Sequence, residues 1–238
     1  MTEMLFREDA YLQEADATVL RHTPEGGIVL DRTVFYPTGG GQPGDNGQLD
    51  WEGGGLTIAT TVKGDHGAII LVPAEAAHLP PVGTVVTQRL DWVRRHGHMR
   101  IHTGLHLLSV VLPYPVTGGS IGAERGRLDF RMPEPIIDKL VVEEQLNALI
   151  ERDLVVSEDW ITEEALRANP SIVKTMSVMP PVGQGPVRLI RIGQGRDQVD
   201  LQPCGGTHVA RTSEIGRLRL GKVEKKGRDN RRVSILLD

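Results

Sequence analysis

From the N-terminus to the run GTVVTQRL, apolar and polar positions alternate in short stretches separated by turn residues: ATVLRHT, GGIVLDRTVFYP, GQLDW, LTIATTVKG, HGAIILVP and GTVVTQRL. Alternation with period two predicts half-buried strands, and a set of such strands closes naturally as a small antiparallel barrel or sandwich. The period changes near Asp91. In DWVRRHGHMRIHTGLHLLSVVL, Ile101, Leu105, Leu108 and Leu112 recur every three or four residues until Pro113 stops the run, which is the pattern of a helix. The sequence then predicts a Gly-rich turn (TGGSIG), a strand (RLDFRM), a second amphipathic helix over IIDKLVVEEQLNALIERDLVV and a shorter helix from Thr162 to Ala168. VRLIRI, QVDLQPC, GRLRLGKVEK and RRVSILL read as strands, the last two joined through the turn KKGRDN. The predicted class is α+β, with a β domain over residues 1–90 and a mixed domain over 91–238.

Composition narrows the function classes. The chain has 238 residues, 39% hydrophobic and 24% charged, enough to bury a core and too apolar for disorder. Its first residues, MTEMLFREDAYLQEADATVL, carry acids where a secretory signal needs basic residues, and no apolar run reaches the length of a membrane span. A cytoplasmic protein without a membrane partner is expected. The 28 Gly, 15 Pro and 4% aromatic content point to a turn-rich fold rather than a helical bundle. With three Trp, three Tyr and three Phe, few rings are left over from the core to stack single-stranded bases.

The net charge of −4 hides an asymmetry: residues 1–90 hold 12 acids and 5 bases, and residues 91–238 hold 19 acids and 22 bases. From Arg211 to Arg232 nine bases face three acids. Such a segment can take a polyanion through counterion release, or it can be the charged guard of a strand edge.

His102 and His106 stand four apart on the predicted helix, which puts both rings on one face. That pair alone is equally compatible with packed or exposed histidines. The only cysteine, Cys204, lies four residues before His208 in CGGTH and has no partner for an internal disulfide. Together the two pairs offer thiolate and imidazole donors in the tetrahedral number that suits one zinc ion. The alternative is a buried free cysteine beside unrelated histidines. Spacing does not decide between a closed structural site and a catalytic site with an open position. HTGLH lacks the glutamate base of HExxH peptidases, so that activity is disfavoured.

HTGLHLL, CGGTHVARTSEIG and KVEKKGRDNRRV, in this order, resemble the editing domain of alanyl-tRNA synthetases and the free-standing AlaX proteins. GGGQPGDNG, at Gly39 to Gly47, resembles the glycine-rich motif of the longer AlaX forms and of the same synthetase. The resemblance implies a small N-terminal antiparallel β-barrel followed by an α/β editing domain of the kind shared by threonyl- and alanyl-tRNA synthetases. It also implies a zinc-associated hydrolase that deacylates mischarged tRNA(Ala) in trans without ATP. Ser-tRNA(Ala) is the chief expected substrate, Gly-tRNA(Ala) a further candidate, and Ala-tRNA(Ala) is spared. The length supports action in trans, since an aminoacylation domain and a tRNA-binding domain would need more than 238 residues.

In this reading His102, His106, Cys204 and His208 hold the zinc ion and form the catalytic centre, the metal positioning substrate with an activated water. Many synthetase editing domains read HTATH, whereas Leu105 replaces the second Thr here. Thr103, Thr117 and Ser120 are therefore candidates for sensing the substrate hydroxyl, a contact that would reject the alanyl ester. Gly40, Gly41 and Gln42, otherwise a plain turn, become candidates for contact with the acceptor end. Lys222, Lys225, Lys226, Arg228, Arg231 and Arg232 become the expected tRNA-phosphate surface, while His96 and His98 are expected at the surface of the protein. Two other readings remain: a zinc-stabilised tRNA-binding module without hydrolysis, and editing of a different mischarged tRNA.

Overall fold

The structure, a computed structural model, describes residues 1–76, 78–132, 138–169, 173 and 185–238. The alternating runs of the N-terminal part form β1 (Glu3–Met4), β2 (Glu14–His22), β3 (Ile28–Leu30), β4 (Arg32–Thr33), β5 (Gly47–Trp51), β6 (Gly54–Lys63), β7 (Ile69–Pro73) and β8 (Val85–Leu90), with a one-turn helix α1 (Leu5–Glu8). Six of these strands close into an antiparallel barrel in the order β2-β3-β7-β6-β5-β8. The alternation decides what is inside: Leu49 on β5, Ile58 on β6, Leu71 on β7 and Val86 on β8 are all buried in one apolar cluster. Gln88 on β8 is polar and buried, and its amide is satisfied by Thr33 Oγ1 at 2.6 Å and Arg32 O at 3.3 Å.

The chain divides into two compact units, Met1–His96 and Gly97–Asp238, and helix α2 (Trp92–Val111) begins in the first and continues through the second. Within the first unit Arg95, fully buried, donates to the Asp45 carboxylate and to the carbonyls of Val34 and Ala10. Asp45 also accepts the Tyr36 N–H at 2.6 Å, so the glycine-rich segment is pinned by a buried ion pair.

The second unit contains β9 (Val116–Ile121), β10 (Arg125–Arg131), α3 (Lys139–Glu151), β11 (Val156–Ile161), α4 (Glu163–Ala168), β12 (Val187–Ile192), β13 (Asp200–Pro203), β14 (Leu218–Lys225) and β15 (Asn230–Leu237). They build an antiparallel sheet β14-β15-β10-β9 and a second antiparallel sheet β11-β12-β13. Helix α2 lies closely on the first sheet: a Cβ on Gly126 of β10 would stand 2.5 Å from Ile101 Cγ2 and 3.0 Å from Leu105 Cδ1. Helix α3, N-capped by Asp138, buries Val142, Leu146 and Ile150 from one face. Its polar residues complete the β14 edge: the Asn147 amide donates to Leu218 O and accepts from Leu218 N, and Glu143 accepts from Leu220 N. An exposed row of strand donors is thereby covered. Among the described residues no helix is long and apolar enough to cross a membrane.

Two segments differ from the sequence reading. TGGSIG, read as a turn, is the body of β9, because pairing with β10 supplies the backbone bonds that its glycines do not encode. The second helix ends at Glu151 rather than running to Val156, since Asp153 takes a positive φ of 50° and Val156 opens β11. A short apolar run such as LVV is ambiguous between helix and strand, and β11 decides it by pairing with β12. Ile136 and Ile137, placed at the start of that helix by the sequence, lie outside the described residues.

Gly126→Val is expected to lower stability by about 1–3 kcal/mol through overpacking against α2. Urea unfolding checks this: the midpoint falls while the slope of the transition stays the same.

Candidate metal centre

His102 and His106 leave α2 from one face, one helical turn apart, flanked by the buried Ile101 and Leu105. Cys204 directly follows β13, and its N–H still donates to Arg188 O of β12 at 3.2 Å, so strand pairing fixes the residue that carries the thiol. The two glycines after it let the chain turn back and deliver His208. The donor atoms of His102, His106, Cys204 and His208 all lie within 4.8 Å of one another. Cys204 Sγ is 3.4 Å from His102 Nε2 and 3.3 Å from His208 Nε2, and the Gly206 N–H points at the same sulfur from 3.5 Å.

The outward nitrogens of two rings are fixed from behind. His208 Nδ1 meets Thr103 Oγ1 at 3.1 Å, while that hydroxyl donates to Met99 O and accepts the Val209 N–H. His106 Nδ1 meets Asp200 Oδ2 at 3.0 Å, and the same carboxylate oxygen accepts from Gln202 Nε2 at 2.7 Å. With Nδ1 engaged, each ring presents Nε2 to the cluster. This carboxylate–imidazole arrangement is the one that orients histidines around a metal ion and raises their basicity.

The charges of the cluster compensate one another, and a metal ion bound there would displace the proton of His106. Burial opposes charge on His106, but the hydrogen bond to Asp200 and the neighbouring Cys204 thiolate hold its pKa up to about 9. Burial pushes the Cys204 thiol up, yet the field of His102 and His208 and the hydrogen bonds of His102 and His106 bring it well below the ordinary thiol value. His208 moves well below the ordinary imidazole value because of burial and the nearby His102. A thiolate beside imidazoles is the donor set that binds a metal with release of protons.

The other residues singled out by the sequence fall elsewhere. Thr117, on β9, bonds through its hydroxyl to Asp129 O and Asn230 Oδ1, and Ser120 on the same strand is exposed. Gly40 and Gly41 belong to the Met1–His96 unit, where the Gly39–Gln42 pair closes a tight turn over them with φ of 59° and 83°. Two successive left-handed positions are what glycine is needed for. Gln42 is buried beside them. Lys222, Lys225, Lys226 and Arg228 are exposed on β14 and the turn after it. Arg231 instead is buried and donates to the carbonyls of Gly227, Arg228 and Asn230, pinning that turn. Arg232 grips Asp129 through Nε and Nη2 at 2.8 and 2.9 Å. Burial works against the Asp129 charge, but Arg232 and Arg127 hold its pKa below the usual carboxylate range. His98, expected at the surface, is 1% exposed because its side of α2 is packed, and His96 stacks on Trp92.

Three residues of the site were not picked out from the sequence: Asp200, Gln202 and Arg188. The signal for the first two was present, since Asp200, Gln202 and Cys204 alternate with period two in DLQPC and must share one strand face. Arg188 is one of two cations, with Arg191, in the otherwise apolar strand VRLIRI. It donates through Nη1 to Cys204 O at 3.0 Å and Gly206 O at 2.8 Å and pairs with Glu158.

Residues 187–234 match the family described as threonyl and alanyl tRNA synthetase second additional domain, and residues 8–94 match class II (A) tRNA synthetases. The alanyl-tRNA editing protein AlaX-M of Methanosarcina acetivorans is 32% identical over 247 aligned positions, covering 100% of this chain and 99% of that protein. This chain belongs to the AlaX family. The AlaX-L protein of Pyrococcus horikoshii is also 32% identical, over 98% of this chain and 57% of its own length. The alanine–tRNA ligase of Caldivirga maquilingensis is 37% identical over 94% of this chain, which spans only 25% of that ligase. In this AlaX-family chain the 187–234 match holds Arg188, Asp200, Cys204 and His208, while His102 and His106 fall between the two matched regions.

Asp200→Asn is expected to weaken metal binding on the order of 10- to 100-fold, the usual cost of losing a ligand's outer partner. Competition with a chelator of known affinity measures it, and an unchanged affinity would remove Asp200 from the site.

Proposed function

We propose that this chain is a trans-acting hydrolase of mischarged tRNA(Ala), zinc-associated, with Ser-tRNA(Ala) as chief substrate and Gly-tRNA(Ala) as a second. The observation that carries the reading is the buried cluster of one thiol and three imidazoles, oriented from behind by Asp200 and Thr103. It stands in a chain that matches an alanyl-tRNA editing protein over that protein's whole length. In this proposal residues 1–90 form the barrel domain with the glycine-rich motif, and residues 91–238 form the zinc-binding editing domain.

His102, His106, Cys204 and His208 fit one zinc ion by donor type and number. Zinc bound there supplies Lewis acidity toward an ester carbonyl and a water molecule. The chain's own residues supply orientation: Asp200 holds His106, Thr103 holds His208, and Arg188 holds the carbonyls of the Cys204–Gly206 turn. Thr103 spends its one donor and both lone pairs in doing so, which leaves it no capacity for a substrate hydroxyl. In this proposal Thr117 and Ser120 sense the seryl hydroxyl. A seryl ester then gains a hydrogen bond that the alanyl ester lacks.

Release of serine from Ser-tRNA(Ala), with Ala-tRNA(Ala) as control, tests the reading. Rapid serine-selective release is expected, and it is lost in a folded Cys204→Ala variant. The four mutually close protein donors also fit a closed structural zinc site. Zinc-loaded protein that binds tRNA and releases no serine would establish that binding module instead.

The basic segment splits in two under the same proposal. Lys225→Ala and Lys226→Ala should each reduce the slope of log affinity against log salt by about 1. Arg231→Ala and Arg232→Ala should lower the melting temperature, because those guanidiniums bond the turn carbonyls and Asp129. Equal salt slopes for all four variants would contradict this division.

A further inference from the structure

The sheet β11-β12-β13 turns one face toward the metal cluster, and the register carries that face beyond the metal. Asp200, Gln202 and Cys204 alternate along β13 and its continuation, and Asp200 reaches His106. Cys204 N donates to Arg188 O, Arg188 stands opposite Trp160 on β11, and Glu158, two residues from Trp160 and so on the same face, pairs with Arg188. Cys204, Arg188 and Trp160 therefore form a row across three strands. At roughly 4.8 Å between neighbouring strands, the backbone of Trp160 lies about 10 Å from that of Cys204.

Aromatic rings are scarce in this chain, with three Trp, three Tyr and three Phe, and most of them serve the core. Of the nine, Tyr114 and Trp160 are exposed, and Trp160 is the more exposed at 49%. Its indole is thus open to solvent on the face that carries the thiol. Arg188, between them, is 8% exposed, with its two terminal nitrogens committed to Cys204 O, Gly206 O and Glu158. It does not compete for whatever lies on Trp160.

We propose that Trp160 is the stacking platform for the base of the substrate's terminal nucleotide. The inference rests on the deacylase reading above and adds to it a binding subsite for the 3′ end of the RNA. An ester on a terminal ribose is joined through that ribose to one base. A substrate whose carbonyl lies at the Cys204 end of the row has its own base as the nearest aromatic group to lay along the sheet. Stacking is tolerant of base identity and needs only a flat, accessible ring, which is what this position offers. It also places recognition of the RNA end, rather than of a single-stranded stretch, on the one indole that the fold leaves exposed.

The experiment compares Trp160→Ala and Trp160→Phe with the wild type in steady-state deacylation of Ser-tRNA(Ala), with zinc content measured on each. The alanine variant should raise KM about tenfold to a hundredfold with kcat and zinc content little changed, and phenylalanine should recover most of the loss. An alanine variant with wild-type KM overturns the proposal. A second readout needs no turnover: titration with a short uncharged RNA ending in CCA should quench tryptophan emission in the wild type and not in Trp160→Ala. A wild type that releases no serine defeats the deacylase reading alone, and the quench then decides Trp160, because equal quenching in both proteins, or none in either, removes the platform.

Discussion

Three buried imidazoles and a half-buried thiol, their donor atoms gathered within 4.8 Å of one another, are a demand that the rest of the second unit has to meet. Polar groups removed from water cost free energy unless each finds a partner. Here the inward atoms face one another, and the outward nitrogens of His106 and His208 are met by Asp200 and Thr103. The network extends further, to Gln202 and Ser109 around His106 and to Met99 O and Val209 N around Thr103. The network thus fixes the direction in which His106 and His208 present their inward nitrogens.

Helix α2 serves two masters with one sequence. Ile101 and Leu105 must lie on the sheet, while His102 and His106, one position further round the helix, must face the Cys204 turn. Both are possible only if the helix comes close, and the sheet permits it at Gly126, where a side chain would strike Ile101 and Leu105. Gly104 does the same from the helix side, with Leu218 and Ile235 where its side chain would be. Packing and chemistry are therefore coupled: a larger residue at either glycine pushes away the face that carries the histidines. The replacement of the familiar second threonine by Leu105 fits this geometry, because position 105 belongs to the buried stripe.

Much of the fold was legible because period-two and period-3.6 patterns are strong in the strands of the barrel and in α2. The four candidate ligands were legible for a different reason, as residue types rare enough that their spacing carries information. What stayed hidden depended on pairing. β9 is a strand only because β10 lies beside it, and β11 looks like a polar loop until its register with β12 is known. Asp200 and Gln202 were visible as an alternating pair but gained a role only once α2 was placed over that strand face. Arg231 and Arg232 show the converse, since charge composition marks them as surface cations whereas the fold uses them as internal fasteners.

Arg188 shows why the turn that carries Cys204 has to be built from polar parts. A buried guanidinium is costly, and replacing a buried ion pair by apolar side chains is often neutral or stabilising elsewhere. That exchange is not open here. The carbonyls of Cys204 and Gly206 both accept from Arg188, and an apolar residue at 188 would take that donor from both. Arg188 answers the two carbonyls with one nitrogen and takes Glu158 on another, so its charge is compensated while its planar fork fixes the turn. A lysine supplies the charge without the fork. The rigidity of the ligand-bearing turn is thus imposed from the neighbouring strand, by a side chain that touches none of the four donors.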